Sequence, residues 1–495
     1  MPNTDSNRCI LTLPLMTEPW QEHLIETRFD IMEHLKNSLI ALELRKLKNL
    51  QRTRAYKELE KKIFEKPKEE RKPLYKERSA MLRTAGFSEF DFINDMTPMQ
   101  KHFADHIAAQ ISHRSASDVW RAFESYLFSS GREVHFQKRG TLDSVACKKA
   151  GNGMNYRNDT FEWSGGRTPN AKRLCIRVEK PQTEYEKHML EKEVKNMRII
   201  RKWMKTRYKY YLQLTLVGDP YQKPRKIGEG RVGIDIGTRT IAIASETTVR
   251  LLELADRIDG NHKRKCELQR KMDASKRATN PDNFNSDGTI RRRSKGKKMT
   301  WHFSKHYLRM RDQVRELERK NADIRTYQHN CLANEVLTLG TDVFVEPMSY
   351  KGLQHRAKET KVDEKGRYLK KKRFGKSLAN KAPSKFLMIL ENKLACKGKA
   401  LNYVDINRFR ASQFDHTNGT YRKKQLSERF ATLSTGEHVQ RDMYSAFLLM
   451  NSNDSLNAPD IERCGQTFER FKELHAIEVE RIRQSPYRRI QSFGI

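Results

Sequence analysis

Paired cysteines are missing from this chain. Its seven, Cys9, Cys147, Cys175, Cys266, Cys331, Cys396 and Cys464, include no C-x-x-C pair. This excludes a readable zinc ribbon or dithiol redox site. An odd number at wide spacing fits reduced thiols in a cytosol. Long hydrophobic runs are missing too. The opening MPNTDSNRCILTLPLMTEPW is too short and broken for a signal peptide or a spanning helix, so the expected location is cytoplasmic, with no membrane partner. Acid is scarce: 62 Asp and Glu face 98 Lys and Arg, a net charge of +36. Such an excess opposes compaction unless a polyanion meets it. Nucleic acid is the expected partner, because phosphate contacts by Lys and Arg release counterions.

Enough remains to build domains. The chain has 495 residues and 37% apolar content, room for two or three cores. CILTLPLM reads as a first strand. From about 22 to 111, apolar residues recur at spacings of three and four, with Lys and Arg on the other face, which predicts helices. Between about 132 and 220 the pattern alternates as strands do. In RYKYYLQLTLVGD, Tyr210, Leu212, Leu214 and Leu216 share one face. Arg201, Lys202, Lys205, Arg207 and Lys209 interleave there with Trp203 and Tyr208. A small β-barrel gripping RNA by charge and stacking would carry such residues. Farther on, the span from Arg291, Arg292 and Arg293 to Lys298 holds six basic residues and no acid. A long helix is predicted next, with Met310, Leu317, Ile324 and Cys331 as a heptad-spaced core stripe.

Three carboxylates stand out by context. In VGIDIGTRTIAIAS, Asp235 lies inside an apolar strand that turns at Gly237-Thr238 and runs apolar again. An ionised carboxylate there is costly unless a positive charge meets it. Glu346 ends the later strand TDVFVE, and Asp442 opens the helix RDMYSAFLLMN, with Met443, Ala446, Phe447 and Met450 on one face. Singly, each is a weak signal, and a strand-end Glu or helix-start Asp is ordinarily a cap or surface residue. Together they suggest a site for Mg²⁺, which takes oxygen ligands from a few carboxylates and leaves positions open for phosphate. Two such ions about 3.5–4 Å apart can drive phosphodiester hydrolysis. GIDIGT also resembles the first phosphate loop of actin-like and sugar-kinase ATPases, but the second D-x-G-G-G loop they need is absent.

In three blocks the chain resembles the RuvC-type nucleases of the TnpB family and the miniature type V CRISPR effectors. GIDIGTRTIAIAS looks like their first motif, VFVEPMSYKGL like the second and QRDMYSAFLLMN like the third. The resemblance covers about half the chain, roughly 205–451. It implies an α/β plus α+β multidomain protein, with an RNase H-like RuvC domain, a β-barrel wedge domain and a helical recognition lobe. The implied division is 1–20 as first wedge strand, 21–131 as recognition lobe, and 132–228 as wedge domain. RuvC motifs I and II would occupy 229–404, a degenerate zinc-ribbon-like insert 405–440, motif III 441–452 and a helical extension 453–495. Carried over by residue, the metal-ligand and catalytic roles fall on Asp235, Glu346 and Asp442. The implied activity is guide-RNA-directed, Mg²⁺-dependent cutting of double-stranded DNA beside a short flanking motif, in a nucleoid-associated prokaryotic protein.

One departure is plain. The family's ribbon cysteines before the third motif are absent; zinc is not expected, and Asp415, His416 and His438 are weak substitutes. Some relatives lack the carboxylates and only bind DNA, whereas this chain keeps them. The alternatives are an RNA-guided repressor that does not cut, a transposon-encoded TnpB homing nuclease, and a general RNA-binding protein with a relic nuclease core. Monomer and homodimer stay open.

Overall fold

A computed structural model describes residues 7–129, 131–291, 299–356, 359, 362, 374–423, 425, 428–485 and 493–495. The chain divides into two compact units, Met1–Lys223 and Pro224–Ile495. Among the described residues no helix is long and apolar enough to cross a membrane, and all seven cysteines are free.

In the first unit, strand β1 (Arg8–Met16) buries alternate residues Cys9, Leu11, Leu13 and Leu15. Helix α1 (Pro19–Arg52) begins at a capping box between Glu18 and Gln21. It buries Ile25, Phe29, Met32, Leu39 and Leu47 along one stripe. Helices α2 (Arg54–Glu65), α3 (Arg71–Thr84), α4 (Glu89–Lys101) and α5 (Ala109–Phe128) follow. Then come strands β2 (Ser144–Ala146), β3 (Met154–Arg157), β4 (Thr160–Ser164) and β5 (Arg173–Val178), helix α6 (Glu184–Leu190), and the long hairpin β6 (Val194–Met204) and β7 (Arg207–Val217). The expected face of β7 is present: Tyr210, Leu212, Leu214 and Leu216 are all buried. They pair in register with β1, Leu214 opposite Leu11 and Leu212 opposite Leu13. Helices and strands share one hydrophobic core.

Two expectations need correction here. The strands form one sheet in the order β2-β6-β7-β1-β5-β4-β3, and among the described residues no ladder joins β2 to β3. The sheet is open, not a closed barrel, because short β2 and β3 stop the ladder at each end. Nor is Arg201 a surface cation. It is 4% exposed, paired with Glu26, and donates to the carbonyls of Leu142 at 3.0 Å and Gly140 at 3.2 Å. Its guanidinium lies over the rings of Phe29 and Tyr208, at 4.7 and 4.5 Å. A guanidinium buried and paired in this way is not presented on a phosphate-facing surface. Arg201→Ala should cost the first unit about 1.5–3 kcal/mol, the worth of a charged hydrogen-bond set, as a shift of its denaturant midpoint. The salt dependence of nucleic-acid binding should not change.

The second unit is a three-layer α/β body. Strands β8 (Gly230–Ile236), β9 (Thr240–Ser245) and β10 (Val249–Glu253) form an antiparallel meander. Helices α7 (His262–Thr279) and α8 (Lys305–Leu339) lead to β11 (Gly340–Val345). The short helix α9 (Tyr350–Leu353) precedes α10 (Gly375–Lys381) and α11 (Pro383–Ala395), which lead to β12 (Leu401–Tyr403). The sheet order is β10-β9-β8-β11-β12, with β11 parallel to both β8 and β12. Two small hairpins follow, β13 (Phe414–Asp415) with β14 (Thr420–Tyr421), and β15 (Phe430–Thr432) with β16 (His438–Gln440). Helices α12 (Arg441–Met450) and α13 (Ile461–Gln484) complete the unit.

The α8 stripe departs from expectation. Met310 is buried, Leu317 and Ile324 are half-buried, and Cys331 is exposed. A straight helix drifts about 20° per heptad, so three heptads carry the stripe off the packing face. Ala333, Val336 and Leu337 make the core contact instead. The C-terminal extension is not peripheral. Helix α13 buries Cys464, Phe468, Phe471 and Val479 in one core with α12 and β10. Its buried Glu478 accepts from the Leu251 N–H of β10 at 2.8 Å.

Candidate functional site

Side chains alternate along β8. Val232, Ile234 and Ile236 enter the core shared with α8 and α11. Gly233 and Asp235 therefore share the opposite face, which α12 covers. At Gly233 the helix comes so close that a Cβ would stand 1.9 Å from the Ala446 oxygen and 2.3 Å from the Met450 nitrogen. Arg231, on the same face, donates to the carbonyls of Met450 (2.8 Å) and Ser452 (2.6 Å) at the C-terminus of α12. The helix thus runs antiparallel to β8, and its first turn, with Asp442, reaches the end of the strand where Asp235 sits. Gln440 caps that turn, accepting from the Met443 N–H at 2.8 Å.

Glu346 arrives by register. In the parallel pair, Val345 of β11 stands beside Ile234 of β8, so the next residue on each strand is an acid. Glu346 Oε1 accepts from the Ala411 N–H at 3.2 Å. Asp235, Glu346 and Asp442 all line one open cavity of about 1000 Å³, at the carboxyl ends of parallel strands where α/β folds place ligands. Four cations, Arg239, Lys423, Arg429 and Arg441, line it with them.

Asp235 keeps a partly exposed surface toward this cavity, although protein surrounds it closely. Burial first, then the charges of Asp442 and Glu346, push its carboxyl well above the usual range, against a pull from Arg441. Burial also raises Glu346, offset in part by the Ala411 N–H. Arg441 pairs with Asp442 at 3.2 Å. Ser445, one turn beyond Asp442, lines the cavity with a buried hydroxyl that has no hydrogen-bond partner among the described residues. Hard oxygen donors and an unspent hydroxyl suit a divalent cation such as Mg²⁺ in chemistry. Among the described residues no group of three or more His, Cys, Asp or Glu side chains is gathered as a metal-ion cluster.

Of the other expected contacts, Lys205 and Arg207 are exposed at the β6–β7 turn and Lys209 is half-buried. Arg291 is exposed, its N–H donating to the Asn283 carbonyl at 2.9 Å. Arg292 and Arg293 lie outside the described residues. Sequence reading missed Gly233, Arg231 and Ser445. The glycine alone left a signal, since Gly inside a strand often marks close backbone approach.

The cysteine-free insert is clasped by a carboxylate. Asp415 Oδ1 accepts from Thr417 N (3.0 Å) and Oγ1 (2.6 Å) in its own hairpin. Asp415 Oδ2 accepts from Ser434 N (2.9 Å) and Oγ (2.8 Å) in the other. His416 is buried, its Nδ1 2.7 Å from the Tyr444 hydroxyl, while His438 bonds Thr432. Asp415, His416 and His438 thus form no ligand set. Burial raises the Asp415 pKa, but the Thr417 and Ser434 donors outweigh it and hold it below the usual value. The stability this contributes is present above the unfolded carboxylate pKa and is lost as pH falls through the lower, folded one. Asp415→Ala should therefore increase protease nicking in 414–440 at neutral pH. In the parent, chelator should have no such effect, and acid should.

No family model matches the chain, and no curated protein matches it. Solved structures do. A Cas12f1–sgRNA–target DNA complex aligns over 90% of this chain and 99% of its own, at TM-score 0.45 and 11% identity. A CRISPR–Cas12f ternary complex aligns over 88% and 82%, at TM-score 0.26 and 14% identity. Likeness at this level carries no weight by itself.

Proposed function

We propose that the second unit is an RNase H-like, RuvC-type nuclease domain, and that the chain is an RNA-guided, Mg²⁺-dependent DNA endonuclease. One observation carries this: three acids, from residues 235, 346 and 442, line a single cavity in a sheet ordered β10-β9-β8-β11-β12. Divalent cations, when bound, would activate water and neutralise the leaving oxygen. Asp235, Glu346 and Asp442 would hold them. Arg239, Lys423, Arg429 and Arg441 put positive charge where the phosphates of an entering strand would lie. The partners in this reading are guide RNA and double-stranded DNA; the Cas12f1 complex holds an sgRNA and target DNA. The cytoplasmic, nucleoid-associated location and the transposon or CRISPR setting belong to the same reading.

The lack of a gathered ligand cluster among the described residues favours a second reading, an RNA-guided DNA-binding protein that does not cut. The test begins with sequencing the RNA that co-purifies, then programs the protein against a matched plasmid with Mg²⁺ or chelator. One discrete RNA and Mg²⁺-dependent cutting are expected. Guided binding without nicking would establish the second reading, and a random RNA mixture would sink both.

A further inference from the structure

The far end of the α7–α8 hairpin is built more firmly than a connecting loop requires. Asn280 and Asn283 are each 5% exposed. Asn280 Nδ2 donates to the His302 carbonyl at 2.7 Å, and its Oδ1 accepts from the His302 N–H at 2.7 Å. Asn283 Nδ2 donates to the Thr300 carbonyl at 2.7 Å, and the Ser275 and Ser304 hydroxyls meet at 2.8 Å. Two buried amides thus tie the chain before α8 to the end of α7. A buried polar side chain is retained cheaply only when satisfied, and here the satisfied pair fixes a loop.

That loop displays aromatic rings amid positive charge. Phe303 stacks on Tyr307 with centroids 4.5 Å apart and planes at 21°, yet remains 42% exposed. In the same connection, Lys276 sits 3.9 Å over the Trp301 ring, Arg277 sits 5.4 Å over Phe284, and those two rings meet edge to face at 5.7 Å. Helix α7 carries seven Lys or Arg against two acids, and His302, Lys305, His306 and Arg309 are exposed around the stacked pair. What sets this ring apart is its setting: an exposed ring stacked on a second ring among cations has the makings of a base-stacking surface. A protein interface would more commonly deplete lysine. Bases are available for stacking where RNA is unpaired.

We propose that this hairpin end is a preorganised platform for an unpaired segment of RNA, with Phe303 as the ring on which a base stacks. The proposal rests on the RNA-bound reading above. The test uses the full chain stripped of nucleic acid and a short labelled oligouridylate, with a blunt RNA duplex and an oligothymidylate as comparison probes. Phe303→Ala should weaken oligouridylate binding roughly 5- to 100-fold, leave the duplex affinity and the melting temperature unchanged, and keep the salt slope. Phe303→Trp should retain binding. Lys305→Ala should lower the salt slope by about 1. Unchanged affinity in Phe303→Ala, a loss shared by the duplex, a loss confined to the DNA probe, or a change in oligomeric state would each overturn the platform. If the parent binds RNA and Phe303→Ala binds equally, only the platform fails; if the parent binds no RNA, the RNA-guided reading fails with it.

Discussion

Asp235→Asn should abolish DNA cutting, by roughly 10³-fold or more, while making the protein more stable without divalent cation. The first effect follows from removing a charge aimed at the reacting centre. The second follows from its raised pKa, caused by burial and the facing Asp442 and Glu346. A carboxyl whose folded pKa lies above its unfolded one destabilises the fold when ionised. The penalty is absent below the unfolded carboxylate pKa, near 3.9, grows as pH rises through the raised value, and is complete above it. At neutral pH in chelator, the neutral Asn should therefore melt higher than the parent. Mg²⁺ should raise the melting temperature of the parent and leave that of Asp235→Asn unmoved. Guided RNA and DNA binding should survive the substitution. Persistent cutting by Asp235→Asn would remove Asp235 from the site.

Gly233→Ala should be as damaging to activity, although it leaves every carboxylate in place. Its Cβ would fall 1.9 Å from the Ala446 carbonyl oxygen and 2.3 Å from the Met450 nitrogen. Both are backbone atoms of α12, so no side chain can turn away, and Ala446→Gly cannot rescue. Overpacking a core costs about 1–3 kcal/mol where side chains can yield; a clash with helix backbone should reach the upper end or exceed it. If the unit survives, α12 must lift from β8 and carry Asp442 away from Asp235. Lower thermal stability together with lost cutting is expected. Gly230→Ala makes the comparison, because its nearest contact, the Leu339 oxygen, is 3.2 Å away, and its effect should be mild. A Gly233→Ala protein that melts and cuts like the parent would show that the approach of α12 does not set the site.

The same helix shows how far sequence reading reaches. The apolar face of α12 was visible as Met443, Ala446, Phe447 and Met450, but the whole run Met443–Met450 is buried. The missing contacts come from α13, which the sequence marked only as a helical extension. Arg201 misled in the opposite sense. Basic neighbours and rings suggested a phosphate surface, and the partner that claims it, Glu26, lies on a helix far back in the chain.

Periodicity in the chain was sufficient for the strand pair around Gly237, the inward face of β7, and three acids at strand or helix ends. Those features depend on a few neighbouring residues and on alternation, which are local properties. The open edge of the first sheet, the Asp415 clasp and the shared cavity were decided by folding. Each depends on which distant segments pair, and in what register. A one-residue slip between β8 and β11 would move Glu346 out of step with Asp235 without altering a letter of either motif.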